Sequence, residues 1–310
     1  MKIIVLVLNS EIHYEQKYER YWRDEMIHNK TLCFIGAGSM AEAMIAGFVL
    51  SERIPAENII ATNRSNEQRL AALEVKYGIK GMKLEHLPFD QIDIFILAMK
   101  PKDVDQALSY LKQQIKPNQL ILSVLAGITT TYLEQNLHDD QQVVRVMPNT
   151  SSAIGESATA LSPGHKTAEN HVFETKELLN CIGSVFQIEE KNMDIFTGLA
   201  GSGPAYFYYL MEHMEQQGAK SGFDLETTRQ IIAQTIVGAA KMVQEQDETP
   251  AVLREKVTSP NGTTAAGLQA LDVNGGGRAI AKAVEFAAKR SKEISEQIKE
   301  SLLVRSTTNK

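Results

Sequence analysis

The sequence predicts an α/β protein whose N-terminal part is a doubly wound parallel sheet and whose C-terminal part is all-α. Three observations predict it. An apolar run at residues 31–35 breaks into a glycine turn; short apolar runs then alternate with helical patterns to about residue 190; beyond that point only long helical runs remain. Alternation of this kind builds parallel strands joined by crossover helices. The length of 310 residues sets a prior of about two domains, and 43% hydrophobic residues suffice to fill a core. The expected division is an extension at 1–29, a sheet domain at 30–190 and a helical domain at 191–310.

The first 29 residues stand outside the alternating pattern. The apolar run at 1–8 falls well short of the roughly 20 residues that span a bilayer, and no small-residue cleavage site follows it. Residues 11–30 are densely charged, with Tyr14, Tyr18, Tyr21 and Trp22 interspersed. This stretch reads as an upstream extension, with Met26 an alternative start.

The first strand is Thr31-Leu32-Cys33-Phe34-Ile35, and Gly36-Ala37-Gly38-Ser39-Met40-Ala41 after it reads G-x-G-x-x-A. Gly36 permits a tight turn, Gly38 lets backbone approach a pyrophosphate, and Ala41 keeps the next helix close to the strand. That helix, continuing to Leu50, aims its free N–H groups and positive dipole end at phosphate oxygens. With a strand before it and a helix after it, the motif reads as a Rossmann-like dinucleotide site rather than a plain turn.

Residues 58–62 form the second strand and 65–77 a polar helix. Residues 93–98 are the next long buried strand, closed by Met99-Lys100-Pro101, where the proline suits the first turn of a helix. Residues 119–124 and 142–147 supply two more strands; 157–161 and 184–188 are shorter edge strands around a helix near 166–181.

The end of the second strand bears on cofactor choice. NAD-selective sites place a carboxylate there for the ribose 2′-hydroxyl. This chain has Thr62-Asn63-Arg64-Ser65, with no carboxylate until Glu67. An arginine with amide and hydroxyl neighbours receives a 2′-phosphate, so NADPH is expected, with NADH possible. A helix N-cap at Asn63 or Ser65 beside a solvated Arg64 is the plainer alternative.

In the helical part, Gly201-Ser202-Gly203-Pro204 introduces an aromatic helix at 205–219. A second helix at 225–245 carries Leu225, Thr228, Ile231, Ile232, Thr235, Ile236, Ala239, Met242 and Val243 along nearly one side. So broad an apolar face requires cover, from a core inside one subunit or from a homodimer. The last helix, 278–303, is amphipathic and ends in a polar tail expected to fray. Between these helices, Ser259-Pro260-Asn261-Gly262 is turn chemistry and Thr263-Thr264 reads as a helix cap. Hydroxyls and free amides at a helix start also make a carboxylate-binding site.

Composition narrows the partners. A net charge of −6, with no basic run interleaved with aromatics, argues against nucleic acid. Two cysteines, Cys33 and Cys181, are too few for a disulfide framework and suit a reducing, cytoplasmic setting. Seven histidines without ligand spacing give no reason to expect a metal.

Five motifs in register, at 36–40 (Gly-Ala-Gly-Ser-Met), 98–101 (Ala-Met-Lys-Pro), 145–150 (Arg-Val-Met-Pro-Asn-Thr), 201–206 (Gly-Ser-Gly-Pro-Ala-Tyr) and 257–264 (Val-Thr-Ser-Pro-Asn-Gly-Thr-Thr), resemble pyrroline-5-carboxylate reductase over about residues 30–303. The resemblance implies a Rossmann domain, a helical domain that interlocks into homodimers or larger rings, and NAD(P)H-dependent formation of proline from 1-pyrroline-5-carboxylate. Carried over, Gly36, Ala37, Gly38, Ser39, Met40 and Ala41 hold the pyrophosphate, and Asn63, Arg64 and Ser65 the adenosine ribose. Ala98, Met99, Lys100, Pro101 and Ala126 line the nicotinamide end. The substrate carboxylate sits around Ser259, Gly262, Thr263 and Thr264, with Lys256 and Val257 beside them. Thr264 is the catalytic candidate, through a hydrogen bond to the ring nitrogen.

Four positions depart from the family pattern. Asn261 replaces the usual glycine, Ser151 a common proline, Glu85 an adenine-side asparagine, and Lys256 an asparagine found in some relatives. Two other readings stand beside this one. A non-catalytic paralogue would bind dinucleotide without forming proline. A β-hydroxyacid dehydrogenase would need a lysine in the turn after 201–204, which the sequence lacks.

Overall fold

The computed structural model describes residues 26–308, with side chains as far as residue 300. The apolar run at 1–8 and the tyrosine-rich segment lie outside the described residues. Ile27 is fully buried in the same cluster as Leu32 and Phe34.

Eight strands form one sheet in the order β3-β2-β1-β4-β5-β6-β7-β8. They are β1 (Leu32–Ile35), β2 (Ile59–Thr62), β3 (Lys80–Met82), β4 (Ile94–Leu97), β5 (Leu120–Ser123), β6 (Gln142–Met147), β7 (Ser157–Pro163) and β8 (Gly183–Gln187). Neighbours pair parallel except β6 and β7, whose antiparallel register sets Val144 against Pro163 and Met147 against Ala160. The sheet is mainly parallel, as expected, and its last two strands run reversed. The connection from β6 to β7 holds only the short turn Thr150–Ile154, and a parallel return needs a crossover of a dozen or more residues. No sequence pattern marks β3, which has three residues and a glycine at its centre.

The helices are α1 (Ser39–Leu50), α2 (Glu67–Tyr77), α3 (Val104–Lys112), α4 (Thr130–Asn136), α5 (Glu169–Leu179), α6 (Met193–Phe196), α7 (Gly203–Lys220), α8 (Leu225–Glu245), α9 (Pro250–Lys256), α10 (Thr263–Val273) and α11 (Gly276–Thr308). Alternation along the strands assigns them to faces. Leu32, Phe34, Ile94 and Ile96 point into one core with Met44 and Phe48 of α1, Leu73 of α2 and Leu178 of α5. Cys33, Ile35, Phe95 and Leu97 point into the other, with Val104, Leu108 and Leu111 of α3 and Leu133 of α4. Helices on both faces make the sheet doubly wound.

Three local expectations are corrected. Asn66, not Asn63 or Ser65, caps α2, its side chain accepting from the Arg69 N–H at 2.9 Å. Thr263 opens α10 rather than capping it; Gly262 is the cap, and no side chain closes that end. The C-terminal helix continues to Thr308, past the point where fraying was expected.

By packing, the chain separates into two compact units, one through Gly201 that is rejoined from Lys289 onward, and one from Ser202 to Ala288. In the second unit Tyr206 donates its hydroxyl to the Ala283 carbonyl at 3.3 Å, and Arg229 pairs with Glu215 at 2.6 Å. Of the apolar side of α8, only Thr228 and Ile232 are buried. Leu225, Ile231, Met242 and Val243 stay exposed, so the chain's own core does not cover that face. No helix of the described residues is long and apolar enough to cross a membrane.

Candidate active site

The sheet order reverses between β1 and β4, with β2 and β3 on one side and β5 onward on the other. Where the order reverses, loops leaving the strands' carboxyl ends diverge to opposite faces and open a crevice. Backbone bonds stitch those ends together. The Gly36 N–H donates to the Thr62 carbonyl at 3.0 Å, Ala98 to Ile35 at 3.0 Å, and Val124 to Leu97 at 3.1 Å.

The two glycines of the first turn are needed for different reasons. Gly36 has φ +114°, and a Cβ built there would lie 2.7 Å from the carbonyl carbon and oxygen of Ala98 and from the Met99 nitrogen. Gly38 has an ordinary φ of −76°, and a Cβ there would meet only the Ala98 oxygen, at 4.0 Å. The protein itself sets the identity of residue 36; at residue 38 it leaves open space. Ser39 and Met40 open α1 without a side-chain cap, and Ala41 is fully buried beneath it. An open glycine backbone beside uncapped helix N–H groups fits a pyrophosphate.

Beside the turn lies a cleft of about 370 Å³, walled by Gly36, by Asn63, Arg64 and Ser65 after β2, and by Met99 after β4. The Asn63 side chain accepts from the Ser65 N–H at 3.3 Å and so shapes this loop. Arg64 is 76% exposed, its guanidinium 3.7 Å from the Asp103 carboxylate. The other wall carries residues that the sequence did not single out, Lys83 and Tyr110 among them. Lys83 follows β3, a strand too short to leave a periodic signal. It pairs with Glu67 at 2.7 Å and, through that hydrogen bond, holds the Glu67 carboxyl below its usual range. Glu85 lines the same cleft.

Of the residues expected at the nicotinamide end, only Met99 lines the cleft. Ala98 is half-buried at the end of β4. Lys100 is exposed at the head of the turn Pro101–Asp103, without an ion-pair partner among the described residues, and Pro101 takes the first position of that turn. Ala126 is exposed in the turn after β5.

Two motif residues have structural work. Buried Arg145 donates to Glu190 at 3.1 Å, and Glu190 also accepts from the Thr130 N–H at 2.9 Å. Asn149 donates to the Ala200 carbonyl at 3.0 Å and accepts from the Ser151 N–H at 2.9 Å. A proline at 151 has no N–H to give, so this departure adds a bond.

In the second unit the turn after α9 is closed by the Gly262 N–H donating to the Ser259 carbonyl at 3.0 Å. Asn261 has φ +60°, the left-handed region that glycine enters freely and asparagine tolerates best among the others. Its departure from glycine thereby keeps the same backbone. Lys256 ends α9 with its ammonium on Glu248, and Val257 is exposed. Thr263 and Thr264 are exposed at the start of α10, their hydroxyls without partners among the described residues. Free hydroxyls and uncapped N–H groups at one helix start can hold a carboxylate.

Residues 190–294 match the family model for pyrroline-5-carboxylate reductase dimerisation, and residues 31–127 that for coenzyme F420-dependent NADP oxidoreductase. Pyrroline-5-carboxylate reductase 1 of Bacillus subtilis is 59% identical over 269 residues, 87% of this chain and 91% of that protein. Pyrroline-5-carboxylate reductase 2 of the same organism is 43% identical over 86% of this chain and 96% of its own. The solved structure of Plasmodium falciparum pyrroline carboxylate reductase with NADP bound superimposes with a TM-score of 0.78 at 28% identity, covering 87% of this chain and 99% of that one. Similarity at this level along both units, joined to a glycine turn at the β1/β4 switch and a hydroxyl-rich helix start, places the chain in the pyrroline-5-carboxylate reductase family.

Proposed function

We propose that the protein reduces 1-pyrroline-5-carboxylate to L-proline, the last step of proline biosynthesis, with NADPH preferred and NADH as the second cofactor. The observation that carries this reading is the glycine turn at the strand-order switch of a chain 59% identical to a pyrroline-5-carboxylate reductase. Residues 30–190 form the dinucleotide-binding domain, and 191–310 bind the substrate and form a homodimer. Exposed Ile231, Met242 and Val243 on α8 support the dimer. Two buried cysteines, Cys33 and Cys181, suit the cytoplasm.

A bound reduced nicotinamide supplies the hydride. The protein supplies position. The turn at Gly36–Ala41 binds the pyrophosphate, and Asn63, Arg64 and Ser65 the adenosine ribose. Ala98, Met99, Lys100, Pro101 and Ala126 hold the nicotinamide end. Ser259, Gly262, Thr263 and Thr264 fix the substrate carboxylate, with Lys256 and Val257 flanking. The Thr264 hydroxyl hydrogen-bonds the ring nitrogen and orients the imine for reduction.

Arg64 supports the NADPH preference, and the carboxylates Glu67 and Glu85 in the same cleft favour NADH as the second reading. Following the oxidation of each reduced nicotinamide with pyrroline-5-carboxylate decides between them. NADPH preference predicts a lower KM for NADPH, lost in Arg64→Ala with the NADH value unchanged. Dinucleotide binding without turnover would instead mark a non-catalytic paralogue.

A further inference from the structure

Arg69, on α2, touches the glycine turn from behind. Its Nε donates to the Ala37 carbonyl at 3.0 Å, and its Nη2 to Glu42 Oε2 at 2.5 Å. Ala37 is buried in the middle of the turn, and Glu42 lies in the first turn of α1. The second oxygen of Glu42 accepts from Lys76 Nζ and from the Tyr77 hydroxyl, each at 3.0 Å. These partners, Arg69 first, hold the Glu42 carboxyl down at about 2, so it is fully charged at working pH.

We infer that Arg69 is a positioning residue for the dinucleotide, fixing the peptide between Ala37 and Gly38 and neutralising Glu42 at the helix start. A trans peptide is planar, with its C=O and N–H pointing in opposite directions. Holding the Ala37 carbonyl on Arg69 therefore turns the Gly38 N–H away from α2, and that N–H meets no acceptor among the described residues. The charge argument runs the same way. A lone carboxylate in the first turn of α1 suits the helix dipole but repels an incoming pyrophosphate, and Arg69 removes the repulsion while keeping the carboxylate in place. A lysine cannot replace it fully, because only the planar guanidinium fork serves a carbonyl and a carboxylate together.

The inference rests on the reading that this turn holds the pyrophosphate, and the experiment separates the two. Calorimetric titration of the full-length protein uses two probes, ADP-ribose, which carries a pyrophosphate, and adenosine 2′-monophosphate, which does not. Arg69→Ala is expected to weaken ADP-ribose about tenfold, ~1.4 kcal/mol, and to raise KM for NADPH and NADH alike. Binding of adenosine 2′-monophosphate and kcat at saturating cofactor should hold. Arg69→Lys, which keeps the charge, serves if the alanine variant does not fold, and is expected to lose part of the same affinity. Equal weakening of both probes would mean a general loss of the cleft and would overturn the inference, as would unchanged ADP-ribose affinity. Failure of the wild type to bind ADP-ribose would overturn the underlying reading and the inference with it.

Discussion

Alanine at the two glycines of the first turn separates a requirement of the fold from a requirement of the ligand. At residue 36 the new Cβ would be 2.7 Å from three backbone atoms of the β4 exit, on a φ of +114°. Backbone in that region costs roughly 1–3 kcal/mol, and overpacking costs roughly 1–3 kcal/mol more. Together these are a large share of a total stability of about 5–15 kcal/mol. At about 2–4 °C per kcal/mol for a unit of this size, Gly36→Ala should lower Tm by roughly 5–20 °C. At residue 38 the backbone is ordinary and a Cβ has nothing closer than 4.0 Å. Gly38→Ala should therefore leave Tm unchanged or slightly raised, since alanine restricts the unfolded chain by about 0.4–1 kcal/mol. Its methyl instead takes space left for the pyrophosphate. An overlap of roughly 1–3 kcal/mol corresponds to about five- to 150-fold in KM for either reduced nicotinamide. Thermal unfolding without ligand, with cofactor KM measured on the same preparations, checks both halves. A Gly38→Ala variant with wild-type KM, or with a Tm lowered as far as that of Gly36→Ala, would refute the reasoning.

Thr264→Ala removes an exposed hydroxyl with no partner among the described residues, so stability should stay within about 0.5 kcal/mol, while kcat falls by roughly 10²–10⁴-fold; steady-state kinetics beside a melting curve checks both. Glu42 has a folded-state pKa of about 2 against 4.5 for the unfolded chain, so its contribution is present above pH 4.5 and is lost as pH falls toward 2. Glu42→Gln should accordingly flatten the stability profile in that window, as urea titrations across it will show. Ile231→Asp and Met242→Asp together place charges on an exposed apolar helix side, and sedimentation should show a dimer in the wild type and a smaller species in the variant.

Local pattern was enough for much of this protein. Residues 31–41 gave the first strand, its turn and its helix, because a strand buried on both faces must be continuously apolar and a G-x-G-x-x-A turn serves few other geometries. The helix at 225–245 was legible from its apolar spacing, which is local; its Asp224 cap appears only in the structure. Tertiary structure decided the rest. β3 is too short to show a period, and the antiparallel pairing of β6 with β7 follows from a connection with no room for a crossover. Lys83 and Asp103 share a cleft with Arg64 only because β2, β3 and β4 end at one edge of the sheet, although they are far apart in the chain. The contact between Arg69 and Ala37 spans 32 residues, and no local pattern encodes a distance of that kind. Sequence determined which residues must be buried and where the chain must turn, because these depend on each residue and its near neighbours. Which side chains meet at the site was settled only when the strands lay side by side.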